Sequence, residues 1–141
     1  MRKTLSRNAT TVEQIHQAFN DRDMDAVEAC LAEDCVFTDQ ARGMTFKGRA
    51  QVRSEYVEGW SNAFSDGRVT DERICDGDET IVSQFVGRGT HDGQLGPLAP
   101  TGKRLEMPFC EIFHFDALGK VIAGEMYYDQ LSMLQQLGVA E

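Results

Sequence analysis

Apolar and polar residues alternate along 105–115, where Leu105, Met107, Phe109, Glu111, Phe113 and Phe115 share one parity. In an extended strand these six side chains lie on one face. That face is apolar except for one carboxylate, Glu111. Residues 116–120, DALGK, supply a tight turn with Gly119 where a positive φ is needed, and a second strand follows over 121–128. Asp129 then leads into a short amphipathic helix ending at Gly138. The pattern predicts a long hairpin with one acid on its buried face and a second acid where strand becomes helix.

Upstream the period changes. Val12, Ile15 and Phe19 fall on one helical stripe over 11–20, with Thr10 or Thr11 as cap and Glu13 or Gln14 in the first turn. A short second helix over 24–32 turns Val27, Cys30 and Leu31 inward, and its Asp-rich start suits the positive end of the helix dipole. Residues 35–39 read as a strand and 40–48 as a loose hairpin or loop. A third helix begins near Arg49, with Val52, Tyr56, Trp60 and Phe64 stacked at a spacing of four. Strands over 68–75 and 79–90 flank the turn Asp76-Gly77-Asp78. Gly87 and Gly89 in the second of these signal bending or a close neighbour. A loop rich in Gly and Pro, 92–103, precedes the terminal hairpin. Helices segregated from strands predict an α+β fold. N-terminal helices pack over a strongly curved antiparallel sheet to form a cone with an apolar pocket, and a short C-terminal helix completes it.

Length and composition narrow the reading. The chain of 141 residues, 41% hydrophobic, fits a single domain over 1–141. A net charge of -9 argues against nucleic-acid and anionic-membrane partners. No apolar run approaches a membrane span. The basic start MRKTLSRNATT lacks the apolar centre of a signal peptide, so residues 1–9 read as a frayed tail and the cytoplasm as the compartment. The four cysteines form no CxxC pair and read as buried free thiols. Three histidines without a ligand spacing predict no metal. The glycines near residue 90 lack the phosphate-loop spacing, and no cofactor is expected.

Candidate chemistry follows from placement. Glu111 on an apolar face must be paired, with Arg73 or Arg88 as partners, or serve as a functional acid. His91 ends a strand beside the Gly/Pro loop, where a rim histidine can move protons near neutral pH. Asp39 at a strand end is either a base or turn chemistry. Asp129 is well suited to cap the last helix, and strict alternation sets it opposite Met126 and Tyr128; a bulge is required to turn it inward. Phe37, Tyr56, Trp60, Met107, Phe109, Phe113, Met126 and Tyr128 form the candidate wall. His114 has the outward parity, and His16 reads as partly exposed.

Several motifs occur together: Thr90-His91-Asp-Gly93, Gly96-Pro-Leu-Ala-Pro-Thr101-Gly102-Lys103, Glu111-Ile-Phe-His-Phe, Gly119-Lys-Val-Ile, and Asp129 followed by Leu134-Gln-Gln-Leu-Gly138. On these the chain resembles the SnoaL-like polyketide cyclase group of the nuclear transport factor 2-like superfamily. The resemblance implies a cofactor-free cyclase or isomerase. Its substrate would be a hydrophobic, carbonyl-bearing small molecule, with proton abstraction and ring closure and with Asp129 as acid/base. Glu111 and His91 would orient the carbonyl. A wider resemblance to ketosteroid isomerase sets Asp39 at the place of its base and Glu111 at that of its buried acid. The same superfamily implies two alternatives: a non-catalytic ligand-binding or dimerisation module, and an epoxide hydrolase or dehydratase. An apolar outer sheet face around Cys110 and Ile112 predicts a homodimer.

Overall fold

A computed structural model describes residues 4–141. Helices α1 (Arg7–Asn20) and α2 (Met24–Ala29) lead into strands β1 (Leu31–Asp39) and β2 (Met44–Lys47). A helical run follows, built from α3 (Arg49–Gln51), a π-helical stretch (Val52–Val57) and α4 (Glu58–Ala63). Strands β3 (Arg68–Gly77), β4 (Thr80–Thr90), β5 (Arg104–Phe115) and β6 (Val121–Tyr127) precede α5 (Gln130–Gln136). The α+β class and the segregation of helices from a curved sheet are as expected, but the sheet is open and is not antiparallel throughout. Among the described residues no helix is long and apolar enough to cross a membrane.

The six strands take the order β2-β1-β6-β5-β4-β3. Strands β3 to β6 form an antiparallel meander, but β1 runs parallel to β6, so the sheet is mixed at that junction. Hairpin periodicity says nothing about how a strand from the first part of the chain joins the last. The inner face carries the odd residues of β5, all buried from Leu105 to Phe115, as their alternation requires. Ile81, Ser83 and Phe85 of β4 and Gly124 and Met126 of β6 share that face. Helix α1 and the helical run lie over it, with Ala9, Val12, Ile15 and Val52 among the buried residues. Each fully buried large apolar side chain contributes about 1.5–3 kcal/mol.

Several expected boundaries move. The segment 40–48 holds β2, whose Phe46 is buried against Tyr56. Leu31 belongs to β1, not to the second helix, and Val121 donates its N–H to the Cys30 carbonyl. Of the four thiols only Cys35 is buried; Cys30 and Cys110 are half-buried and Cys75 is exposed on edge strand β3.

The expected tail is also shorter, and residues 1–3 lie outside the described ones. Helix α1 starts at Arg7, because Ser6 is its cap rather than Thr10 or Thr11. The Ser6 hydroxyl accepts the Ala9 N–H (3.1 Å) and donates to Asp76 (2.7 Å), whose other oxygen takes the Ser6 N–H (2.7 Å). One serine thereby ends the helix and fastens it to the β3 turn. Ser6→Ala should destabilise the fold by about 1–2 kcal/mol in urea unfolding, at the upper end of N-cap losses; an unchanged midpoint would mean that the two hydroxyl bonds, to Ala9 and to Asp76, add nothing.

Candidate active site

A cavity of about 100 Å³ lies between the helices and the inner sheet face. Its wall is largely aromatic, with Phe37, Trp60, Phe64, Phe85, Phe109 and Phe113 all contributing. Lining residues that keep contact with solvent include Phe19 near the end of α1, Arg68 and Val69 at the start of β3, and Arg88 of β4, which places the mouth there.

Besides Arg68 and Arg88 at the mouth and the Trp60 indole, three polar side chains reach this wall: His16, Tyr56 and Glu111. Each comes from a different element. Glu111 points inward by the alternation of β5. Tyr56 hangs from the π-helical stretch, whose extra residue per turn changes the direction of the helix face; such stretches are frequent at functional sites. His16 lies four residues after Val12 and three before Phe19, on the inward stripe of α1. The Tyr56 hydroxyl donates to one Glu111 oxygen at 2.5 Å, and His16 Nε2 meets the other at 2.8 Å. His16 Nδ1 bonds to Glu72 of β3, which also accepts the Ser83 hydroxyl at 2.6 Å.

Glu72 reaches the cluster because β3 changes parity. The pairing with β4 shifts between Thr70 and Arg73, and Asp71 takes a φ of 53°. Val69 faces inward before this bulge, and Glu72 and Ile74 after it. An extra residue in a strand has this effect. A strict alternation drawn through 68–75 cannot find Glu72.

The charges then follow. Burial disfavours a charged His16 ring, but hydrogen bonds to Glu111 and Glu72 and the attraction of both carboxylates outweigh it. The pKa rises from 6.5 to about 9. Burial pushes Glu72 upward, and the bonds from His16 and Ser83 hold it below its ordinary value. Burial and the neighbouring Glu111 charge push the Tyr56 hydroxyl well above its ordinary value, so it stays a donor. At neutral pH an imidazolium therefore sits between two carboxylates. A buried charge survives only when paired in this way.

Comparison with known proteins agrees with this architecture. Residues 9–137 match the family described as SnoaL-like polyketide cyclase. The chain belongs to this family. No curated protein matches it. Similar solved structures include a candidate polyketide cyclase of Pseudomonas putida KT2440 (21% identity, TM-score 0.82, covering 94% of this chain and 98% of that one). A candidate SnoaL-like polyketide cyclase of Jannaschia sp. CCS1 is similar at 17% identity and TM-score 0.86, covering 100% and 99%. AclR, a candidate hydroxylase of Streptomyces galilaeus, is similar at 20% identity and TM-score 0.80, covering 98% and 100%. At these identities the structures establish the shared fold.

Within this SnoaL-like domain the expected site residues do not all come together. Phe37, Tyr56, Trp60, Phe109, Phe113, Met126 and Glu111 all line the cavity. Met107 is buried beside it without lining it.

Asp39 forms a second, separate cluster. It is fully buried and takes the Arg42 N–H (3.0 Å), the Arg42 Nε–H (2.7 Å) and the Tyr128 hydroxyl (2.9 Å). The Arg42 guanidinium lies over the Trp60 ring. Tyr128 is thereby part of this cluster rather than of the cavity wall. His91 is not at a rim. It is fully buried, its Nδ1 accepts the Thr101 N–H at 3.2 Å, and its backbone holds Lys103 and Gly102. The Thr101-Gly102-Lys103 motif thus closes a loop around a histidine.

Asp129 is outside altogether. Strand β6 ends at Tyr127 without the bulge that would turn Asp129 inward. Its carboxylate is exposed, accepts the Ser132 N–H at 3.1 Å to cap α5, and borders a separate outer groove with Asp71 and Arg73. That groove is larger, about 530 Å³, but it holds no buried acid.

The expected arginine partners of Glu111 are elsewhere. Arg73 donates to Gln84, and Arg88 pairs with Asp71 and Glu106 on the outer face. His114 is outward as expected, against Glu125. His16, read as partly exposed, is buried and central.

The raised His16 pKa ties stability to pH. The folded value lies above the unfolded one, so the contribution is complete below pH 6.5 and is lost as pH rises through about 9. Unfolding free energy should fall by roughly 3 kcal/mol between pH 6.5 and 9.5. His16→Gln should be less stable at pH 6.5 and should lack most of this slope. A slope of equal size in the variant would assign it to other groups.

Proposed function

We propose that this SnoaL-like protein is a cofactor-free acid–base enzyme acting on a hydrophobic, carbonyl-bearing small molecule. Glu111 removes a proton from the carbon next to the carbonyl, and Tyr56 then donates to the developing enolate oxygen. The observation that carries this reading is one carboxylate held by a phenol and an imidazolium against an aromatic cavity. A base in such a site is ready without solvent reorganisation. As Glu111 takes the proton its hold on the Tyr56 hydroxyl weakens, which frees that donor for the substrate oxygen. His16 supplies a counter-charge at 2.8 Å from the Glu111 carboxylate. Ring closure or isomerisation follows from the enolate, as the family description supports.

The Asp39 cluster and Asp129 have no part in this chemistry. With Asp39 fully bonded and Asp129 at a helix cap, no relay of acids and an arginine meets the cavity, so an epoxide hydrolase is the weaker reading. A second reading, a ligand-binding module without turnover, draws on one observation: both Glu111 oxygens are already engaged by the protein itself. The two readings separate in D₂O. With cyclohexanone as probe, the intact protein should speed deuterium uptake next to the carbonyl above the buffer rate, read by proton NMR. Glu111→Gln should slow this by about 10²–10⁴-fold, and Tyr56→Phe by about 10²-fold. Asp129→Asn should leave it unchanged. Binding without exchange in the intact protein would establish the module instead.

The half-buried Cys110 and Ile112 and the exposed Tyr127 on the outer sheet face also support a homodimer. Light scattering should give twice the 15.7 kDa chain mass; a monomer at micromolar concentration would remove this part of the proposal.

A further inference from the structure

Two glycines of the sheet serve as seats for cavity rings. Gly124 of β6 stands directly opposite Phe37 of β1 in the register. A Cβ placed on Gly124 would lie 2.3 Å from the Phe37 ring. Gly87 of β4 lies diagonal to Phe109 of β5, and a Cβ there would lie 2.6 Å from that ring. Both rings are therefore pressed onto bare backbone, and neither can retreat further from the cavity. Nor do their neighbours yield sideways. Phe109 stacks on Phe85 with ring centres 5.5 Å apart and meets the Trp60 edge at 5.9 Å. Phe37 meets Tyr56 at 5.1 Å and Phe113 at 6.2 Å. Widening the cavity would displace the interlocked set, in an interior that packs as densely as a crystal.

The space left is about 100 Å³, of the same order as the roughly 150 Å³ of a protein cavity that holds a single benzene ring and far below the ~300 Å³ lower bound of sites for drug-sized ligands. Charge also disfavours an anion: Glu111 and Glu72 share a single histidine at the inner end of the cavity, and the cations Arg68 and Arg88 stand only at the mouth, where Arg88 is already paired with Asp71 and Glu106. We propose that the site takes an uncharged carbonyl compound only one ring wide, and that Gly124 and Gly87 set this limit by seating Phe37 and Phe109. Any chain attached to the ring has room only toward the mouth, between Phe19 and Val69. The carbonyl rests on the acid–base reading above, whereas the ring size rests on packing alone.

The test is binding, measured on the intact chain by ligand-observed NMR and calorimetry. Cyclohexanone should bind, while 9-fluorenone, with three fused rings, and the cyclohexanecarboxylate anion should bind at least ten-fold more weakly. Gly124→Ala should drive the Phe37 ring into the cavity and weaken cyclohexanone at least ten-fold. Adding Phe37→Leu to that variant should restore binding, since the shorter side chain vacates the space. Gly87→Ala should act in the same way through Phe109, and it decides the matter if Gly124→Ala does not fold. Fluorenone binding as tightly as cyclohexanone, no binding of cyclohexanone, or unchanged affinity in both alanine variants would overturn the proposal. Cyclohexanone bound in the cavity without deuterium exchange would instead refute the acid–base reading and leave the size limit standing.

Discussion

The contact between His16 and its two carboxylates is the constraint on which the inner half of this molecule depends. Three ionisable side chains lie beneath an aromatic wall, where any one of them alone would be too costly to hold charged. Together they are tolerable because the imidazolium has a carboxylate at each nitrogen. The arrangement also joins three distant parts of the chain: α1 through His16, the edge strand β3 through Glu72, and the central strand β5 through Glu111. Tyr56 adds the helical run as a fourth. The cluster is thus both a fastening between layers and the acid–base chemistry at the inner end of the cavity wall.

Around it the fold divides its polar groups by task. Asp39, Arg42 and Tyr128 make a closed, fully bonded knot on the far side of Trp60. His91 and Thr101 close the Gly/Pro loop. Asp129 and Ser6 cap helices. Each is an acid, base or hydroxyl that bonds to its own surroundings rather than to the cavity, although His91 Nε2 is buried without a partner. The cavity cluster differs in having open space beside it. The glycine seats belong to the same logic, since they create the space by withdrawing rings from it.

Much of this was legible in the residues. Strict alternation over 105–115 placed Glu111 on the inner face, and the aromatic spacing in the third helix placed Tyr56 and Trp60 on the cavity. The α+β order and the family resemblance held as well. What escaped has physical causes. His16 lies on the α1 stripe at the Val12 + 4 position, but a histidine there is compatible with a solvated helix edge as well as with burial, and its two carboxylate partners lie far along the chain. Glu72 was hidden by a bulge, which inverts parity in a way that only the left-handed Asp71 produces. The parallel joining of β1 to β6 depends on long-range docking and leaves no local trace. Asp129 is the reverse case: alternation and capping both set it outside, and resemblance alone had drawn it in.

The central claim is that His16 is a charged ring at neutral pH, locked between Glu72 and Glu111. A ¹⁵N NMR titration of the three histidine rings in the intact protein tests it most directly. The account predicts one ring with both nitrogens protonated at pH 7.5, titrating near pH 9, and shifting to lower pH in Glu72→Gln. A His16 ring that is neutral at pH 7.5, with a midpoint at or below its ordinary 6.5, would contradict it.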